Sequence, residues 1–289
     1  MNMNRDFVIL TDSSADLPAK VLTEYGIGCV ELSLCVDGVT KLGSEVEPKA
    51  FYDLLRSKVP VTTSAVNMQS FVLFFEGYLK EGKDILYLGF SSGLSATYTA
   101  GKNAATELAE QYPDRKIITV DTLAASLGQG LLVTLVAKKA KEGATLEEAA
   151  AYAEETKLKL CHWFTVDDLF FLKRGGRVSA ATAVLGTMLA IKPFMHVDDE
   201  GHLINVSKVR GRRASVDALF DKLKETATRP EKQLIYICHG DCVEDAEYLK
   251  GRILEAYPES EVMIGYTGPV IGSHSGPGTL ALFFLGGKR

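Results

Sequence analysis

Four short stretches rich in hydroxyl groups are the parts of this sequence best suited to bind a small polar group. They are TDSSADLP (11–18), VTTSAVN (61–67), SSGLSATY (91–98) and GSHSGPGT (272–279). A helix cap needs only one hydroxyl, whereas the third stretch offers Ser91, Ser92, Ser95 and Thr97. From the start of a helix, Ser95 could present its hydroxyl and amide to an anion. The pattern predicts a site for a carboxylate or a phosphate.

A serine with a histidine also permits nucleophilic catalysis. His274 is the only histidine inside a polar, glycine-rich stretch. However, the sequence has no G-x-S-x-G elbow, which is typical of serine hydrolases. It also lacks the dinucleotide fingerprint and the G-K-[ST] of a phosphate-binding loop, so we expect no nucleotide. A hydrolase using a serine and His274 remains an alternative hypothesis.

Two basic stretches indicate a surface for an anionic partner. FLKRGGRVS (171–179) contains Lys173, Arg174 and Arg177, and KVRGRRAS (208–215) contains Arg210. Such clusters suit a phosphate-bearing ligand, an acidic partner or an anionic membrane. The apolar segment between them, AVLGTMLAIKPFM (183–195), fits either plain core or the lining of an acyl-chain tunnel.

Composition limits the class of protein. The chain has 289 residues, 46% of them hydrophobic, and a net charge of -5, so a nucleic-acid partner is not expected. No signal peptide or membrane span is recognisable, which predicts a cytoplasmic protein. The five cysteines are odd in number and lie mostly in apolar segments, as expected for reduced thiols. Their spacing does not predict a metal site.

The hydrophobic pattern predicts two domains. Apolar runs such as FVILTD, DILYLGF and KIITVDT alternate with helical segments in the first half, which is typical of a parallel sheet covered by helices. After the helix KEGATLEEAAAYAEETKLKL, several strand-like segments follow, with DDEGH as a hairpin turn. We therefore expect an α/β domain over residues 1–160 and an α+β domain over residues 161–289.

Several of these motifs together resemble the DegV family. The segments that carry the resemblance, in family order along nearly the whole chain, are TDSS, TTS, SSGLS, FLKRGGR and GPVIGSHSGPGTL. Characterised members of the family bind fatty acids. The resemblance implies a two-domain α/β fold that buries a long-chain fatty acid between its domains, with the carboxylate at the polar end of a tunnel.

The resemblance also implies a role for individual residues. Thr63, Ser95 and His274 would bind the carboxylate, with Ser64 and Ser92 as secondary candidates. Arg210, together with Arg174 and Arg177, would dock to a kinase subunit or transiently to an anionic membrane. By this resemblance the protein is the fatty-acid-binding subunit of a bacterial fatty acid kinase, which supplies acyl phosphate for phospholipid synthesis.

Such a subunit has no catalytic activity, cofactor or metal of its own. Two alternatives stay open at this stage, namely the acyl hydrolase and a lipid sensor or transport module without a kinase. The sequence leaves acyl length, unsaturation, oligomeric state and the identity of the kinase undetermined.

Overall fold

Three sheets organise the protein. The computed structural model describes residues 6–179 and 190–289, whose strands form sheets of four, six and three strands. The four-stranded sheet has the order β2-β1-β6-β7, and all its neighbouring strands are parallel. Its strands are β1 (Phe7–Asp12), β2 (Ile27–Val30), β6 (Asp84–Gly89) and β7 (Ile117–Asp121).

Helices connect these parallel strands, because a parallel pair needs a crossover. Helix α1 (Ala19–Tyr25) lies between β1 and β2, α3 (Met68–Lys80) precedes β6, and α4 (Thr97–Gln111) lies between β6 and β7. Helices α5 (Ser126–Lys141) and α6 (Leu146–Lys157) follow β7 and lead to the next sheet. Helix α6 begins with the capping box formed by Thr145 and Glu148, as its sequence predicts. From β1 the chain continues to β2 on one side of the sheet, and from β6 it continues to β7 on the other side. The loops after β1 and β6 therefore diverge at a topological switch point, where such sheets bind ligands.

The three-stranded sheet is a feature that the sequence pattern did not predict. Its strands β3 (Ser33–Val36), β4 (Val39–Leu42) and β5 (Val61–Ser64) are antiparallel in the order β4-β3-β5, and α2 (Pro48–Arg56) lies between β4 and β5 along the chain. Four-residue strands are too short to give a clear alternation. The stretch VTTS is therefore a strand, in which Thr63 pairs with Leu34.

The six-stranded sheet forms the second, α+β part of the protein, in the order β10-β9-β8-β13-β11-β12. Its strands are β8 (Leu160–Thr165), β9 (Ile191–Val197), β10 (Leu203–Arg210), β11 (Leu234–His239), β12 (Glu261–Tyr266) and β13 (Leu280–Leu285). All pairs are antiparallel except β11 with β12. The predicted DDEGH hairpin turn joins β9 to β10. The expectation for residues 183–189 of the apolar segment falls outside the described residues.

Helices cover both faces of this sheet. The remaining helices are α7 (Leu169–Arg174), α8 (Arg212–Thr226), α9 (Val243–Ala256) and α10 (Pro269–Ser275). Helices α8 and α9 bury one face, and α5 packs on the other while also contacting β1 and β6. Helix α5 is therefore buried on nearly all sides, between two sheets. The division near residue 160 stays a prediction, and it coincides with the start of β8.

Candidate functional site

A cavity of about 280 Å³ lies between the six-stranded sheet, α5 and the loops of the two smaller sheets. Its floor is formed by side chains that are cross-strand partners in the large sheet. Phe164 of β8, Ala281 of β13 and Cys238 of β11 form one row. His162 and Phe283 form the next row, two residues further along the strands, which is about 7 Å. This floor is largely apolar.

Three of the predicted carboxylate ligands line the cavity at its other end. Thr63, Ser95 and His274 come from β5, from the loop before α4 and from α10. The Thr63 Oγ1 and the His274 Nε2 lie 2.7 Å apart. The Ser95 hydroxyl lies 2.9 Å from that of Thr97 and accepts the Thr97 amide at 3.2 Å. Elements distant in sequence thus bring together the polar groups at one end of the cavity.

The loop that carries Ser95 is held by close packing. The amides of Leu94 and Ser95 both donate to the carbonyl of Ser91. The side-chain hydroxyl of Ser91 donates to the carbonyl of Gly201. A Cβ at Gly93 would lie 2.9 Å from the carbonyl oxygen of Glu200. Glycine at this position therefore allows the β9–β10 hairpin turn to pack against the loop and fix it.

His274 is positioned by two glycines. Gly276, two residues after His274, ends α10 with a φ of +80°, a conformation that favours glycine. A Cβ at Gly175 would collide with the His274 Nδ1, so the first glycine of the pair in FLKRGGR gives the imidazole its space. Burial, reinforced by the charges of Arg177 and Arg174, lowers the pKa of His274 to about 4. The imidazole is therefore neutral at physiological pH.

One residue predicted for partner docking, Arg177, lines the cavity. Arg177 is half-buried and lines the cavity. Its Nε donates to the carbonyl of Leu94 at 3.2 Å and its Nη1 to that of Gly175. Burial lowers the pKa of Arg177. The turn at the glycine pair places the Arg177 side chain in the cavity wall, and the docking assignment of Arg177 stays a prediction.

The other two basic residues are on the surface. Arg174, at the end of α7, is exposed, and its guanidinium lies 5.0 Å from the ring centre of Phe171. Arg210 is exposed at the end of β10. Both are available to an anionic partner.

The two secondary candidates are not brought to the cavity. Ser64 and Ser92 are exposed and do not line it. Ser64 follows Thr63 on β5, and neighbouring side chains of a strand point to opposite faces. The amide of Ser92 donates to Asp121 in the neighbouring loop.

The cavity also contains polar residues that the sequence reasoning missed. Ser275 lines it beside His274, and its hydroxyl is buried without a partner among the described residues. Its place in GSHSGPGT was a usable signal. His162 lies on the cavity floor. It follows an apolar segment, and nothing in the sequence around it indicated a place in the site.

Ser95 and His274 do not contact each other as the nucleophile and the general base of a hydrolase would. The hydroxyl of Ser95 contacts Thr97, and the Nε2 of His274 contacts Thr63. Within residues 6–179 and 190–289, no cluster of histidine, cysteine and acidic side chains could hold a metal ion. In the same part of the chain, no helix is both long and apolar enough to span a bilayer.

The fold and the cavity define a class, namely a two-part α/β protein with a cavity that is apolar along its floor and polar at one end. A family model described as "uncharacterised protein, DegV family" matches residues 6–286. The chain belongs to the DegV family. A DegV domain-containing protein of Clostridium perfringens is 49% identical over 288 residues, which cover 99% of each chain. One from Streptococcus pyogenes is 36% identical, over 97% of this chain and 98% of its own.

Solved structures share the whole fold. A fatty-acid-binding DegV family protein from Thermus thermophilus matches with a TM-score of 0.87 and 29% identity. The match covers 97% of this chain and 99% of the other. DegV from Bacillus subtilis, a fatty acid binding protein, matches with a TM-score of 0.86 and 26% identity over 98% of this chain and its full length.

Proposed function

We propose that this protein binds a long-chain fatty acid in the cavity and presents its carboxylate to a separate kinase. The observation that carries the proposal is the division of the cavity into an apolar floor and a polar end. Burying a chain of about 16 carbons yields on the order of 12 kcal/mol at ~0.8 kcal/mol per methylene, before the cost of ordering the ligand. The floor can therefore hold an acyl chain without covalent chemistry.

The polar end would bind the carboxylate. A carboxylate removed from water must keep its hydrogen bonds, and Thr63, Ser95 and His274 offer two hydroxyls and a neutral imidazole. Ser275 offers another buried hydroxyl, and Arg177 a positive charge in the cavity wall. Because the hydroxyl and imidazole donors are neutral, they would orient the carboxylate while leaving one oxygen nucleophilic toward a phosphoryl group. Ser64 and Ser92 are exposed, so we do not include them.

The kinase step would take place at the outer surface near this end. Arg174 and Arg210 are exposed cations that suit an acidic surface of the kinase or, transiently, an anionic membrane. The product would be an acyl phosphate for phospholipid synthesis. Because such a kinase consumes ATP, the proposal includes a cytoplasmic location.

Reconstitution tests the kinase step. Delipidated protein loaded with hexadecanoic acid should yield acyl phosphate only when the cognate kinase and ATP are both present. Arg210→Ala should bind the acid normally and slow phosphorylation, whereas Lys20→Ala, which removes an exposed cation from α1, should leave the rate unchanged. Equal loss of ligand in Arg210→Ala would contradict a docking role.

The alternatives give different results in the same assay. A hydrolase would cleave a chromogenic ester without ATP and lose that activity in Ser95→Ala. A lipid sensor or transport module would bind the acid but would not be a substrate for any cognate kinase. The contacts of Ser95 and His274 with separate partners favour the carrier over the hydrolase.

A further inference from the structure

The side chain of Arg289 joins three segments that are distant in the sequence. It is half-buried, and burial lowers the pKa of Arg289 to about 10, so the guanidinium is still charged at neutral pH. The hydrogen bonds of its guanidinium to the described residues all end on backbone carbonyls. The Nε donates to Leu160 at 3.2 Å, the Nη2 to Lys157 at 2.7 Å, and the Nη1 to Leu123 at 2.7 Å and to Asp198 at 2.8 Å.

The two bonds of the Nη1 connect a loop and a turn that pack against each other. Leu123 belongs to the loop after β7 (122–125), and Asp198 begins the β9–β10 turn (198–202). Within this turn, the amide of Gly201 donates to the same Asp198 carbonyl at 3.0 Å. A Cβ at Gly201 would lie 3.1 Å from the Cα of Leu123. Arg289 therefore bonds to both sides of a close contact.

This contact supports the loop that carries Ser95. The amide of Ser91 donates to the carbonyl of Ala124 in the loop after β7 at 3.0 Å, and its hydroxyl donates to the carbonyl of Gly201 in the turn at 2.9 Å. The carbonyl of Ser91 accepts the amide of Ser95 at 3.1 Å. Arg289 does not line the cavity, but it joins the two segments to which Ser91, and through it Ser95, is bonded.

We infer that Arg289 is a positioning residue for the carboxylate site, and that it fixes the Ser95 hydroxyl by holding the β9–β10 turn against the loop after β7. The inference rests on the proposed function, in which Ser95 binds the carboxylate. A hydrogen bond weakens steeply when its angle is distorted, whereas apolar contacts with the acyl chain are not directional. Loss of Arg289 should therefore reduce recognition of the head group and spare affinity for the tail.

Two ligands with the same tail separate these effects. Delipidated protein is titrated with hexadecanoic acid and with 1-hexadecanol, and the ratio of the two affinities measures the preference for the carboxylate. Ser95→Ala should lower this ratio about tenfold, as expected for one hydrogen bond to a charged group. Arg289→Ala should lower it about fivefold and change the affinity for the alcohol by less than about twofold. Weakening of both ligands by the same factor, as a merely structural role predicts, would overturn the inference.

Arg289→Lys separates position from charge. Lysine keeps the cation, but a single ammonium group cannot replace a planar set of donors that reaches several carbonyls. This variant should therefore lower the ratio as Arg289→Ala does. A ratio equal to that of the parent protein would show that charge acts instead of position, and the inference would be wrong. Lys288→Ala, which removes the exposed cation next to it, is the matched control and should keep the parent ratio.

A double variant tests whether Arg289 acts through Ser95. Arg289→Ala combined with Ser95→Ala should have the same ratio as Ser95→Ala alone, because the residue that Arg289 positions is already absent. Additive losses would contradict the inference. If the Arg289 variants do not fold, Ser91→Ala provides the test, since it removes the hydroxyl that bonds to the turn. It should also lower the ratio, and an unchanged ratio would contradict the account.

The same titrations distinguish failure of this inference from failure of the proposed function. If the parent protein binds neither ligand, the proposed function fails, and the inference fails with it. If Ser95→Ala keeps the parent ratio, the carboxylate site is assigned wrongly, and a positioning role toward it is excluded. If Ser95→Ala lowers the ratio and the Arg289 variants do not, only the inference about Arg289 fails.

Discussion

The two ends of the cavity are built in different ways. The floor consists of rows of side chains from neighbouring strands of one sheet, so its shape is set by the register of that sheet. The polar end is assembled from β5, the loop before α4 and α10, which belong to distant parts of the sequence. In the proposed function, the apolar floor would supply affinity with little directional preference, whereas the polar end would orient the carboxylate. Substitutions should therefore separate retention of the acid from presentation of its carboxylate.

Filling the floor should have the largest effect. Ala281 is buried on the central strand β13, next to Phe164, and Ala281→Phe would occupy the volume of several ligand methylenes. Loss of about four methylenes from the cavity costs ~3 kcal/mol, so we expect affinity for hexadecanoic acid to fall by at least a hundredfold in isothermal titration. Ala151→Phe, at an exposed position of α6, is the matched control. Unchanged affinity in Ala281→Phe would mean that the chain does not lie on this floor.

Removing the imidazole at the polar end should have the next largest effect. A hydrogen bond to a charged group contributes about 1.5–3 kcal/mol, so His274→Ala should weaken binding roughly ten- to a hundredfold. Thr63→Ala should not add to this loss in the double variant, because Thr63 and His274 contact each other directly. Ser95→Ala should add, because Ser95 contacts Thr97 instead. Additive effects of Thr63 and His274 would contradict their action as a unit.

The two arginines of FLKRGGR sharpen the comparison between the cavity and the surface. Arg177→Ala should weaken binding of the acid about tenfold, since its guanidinium lies in the cavity wall. Arg174→Ala removes an exposed cation at the end of α7, and it should leave binding unchanged while slowing the kinase reaction. If the two variants have similar affinities for the acid, the Arg177 side chain in the cavity wall does not contribute to binding.

The pH dependence of stability should show a smaller effect at the polar end. Burial, together with Arg177 and Arg174, lowers the pKa of His274 from 6.5 to about 4. Its unfolded form therefore takes up a proton first, and its contribution to stability falls as the pH decreases from about 6.5 to 4. His274→Gln should lose less stability than the parent protein between these pH values in urea denaturation. A steeper loss in this variant would contradict the assigned shift.

Asp16, a buried carboxyl near the floor, should contribute to stability with the opposite pH dependence. Burial raises the pKa of Asp16 from 3.8 to about 7, against the hydrogen bonds from Ser126 and Gly268. The unfolded carboxyl ionises first, so stability from this group falls as the pH rises from about 4 to 7. Asp16→Asn should accordingly lose more stability than the parent protein on acidification over that range.

The sequence predicted the parts of the fold in which local signals and packing agree. The alternation of apolar runs and helices predicted the parallel sheet, and the DDEGH turn predicted the β9–β10 hairpin. The three-stranded sheet was missed because four residues carry too little periodicity. The central strand β13, LALFFL, is buried along almost its whole length, and a continuous apolar run gives no strand-specific alternation.

The site was predictable only where residue type and motif coincide. Thr63, Ser95 and His274 were singled out as hydroxyl or imidazole groups in polar stretches, and all three line one cavity. The inward side chain of Arg177 depends on the turn at Gly175 and Gly176, so charge alone pointed to the surface. His162 had no sequence signal, because its place on the cavity floor follows from the pairing of β8 with β13.

The central claim is that this protein carries a fatty acid, and the acid itself is the most direct test. The protein is purified from cells and weighed intact by native mass spectrometry, and an organic extract is analysed for released acids. The account predicts close to one long-chain acid per chain, released without hydrolysis of any ester. Protein that contains no acid and also fails to bind added hexadecanoic acid would contradict it.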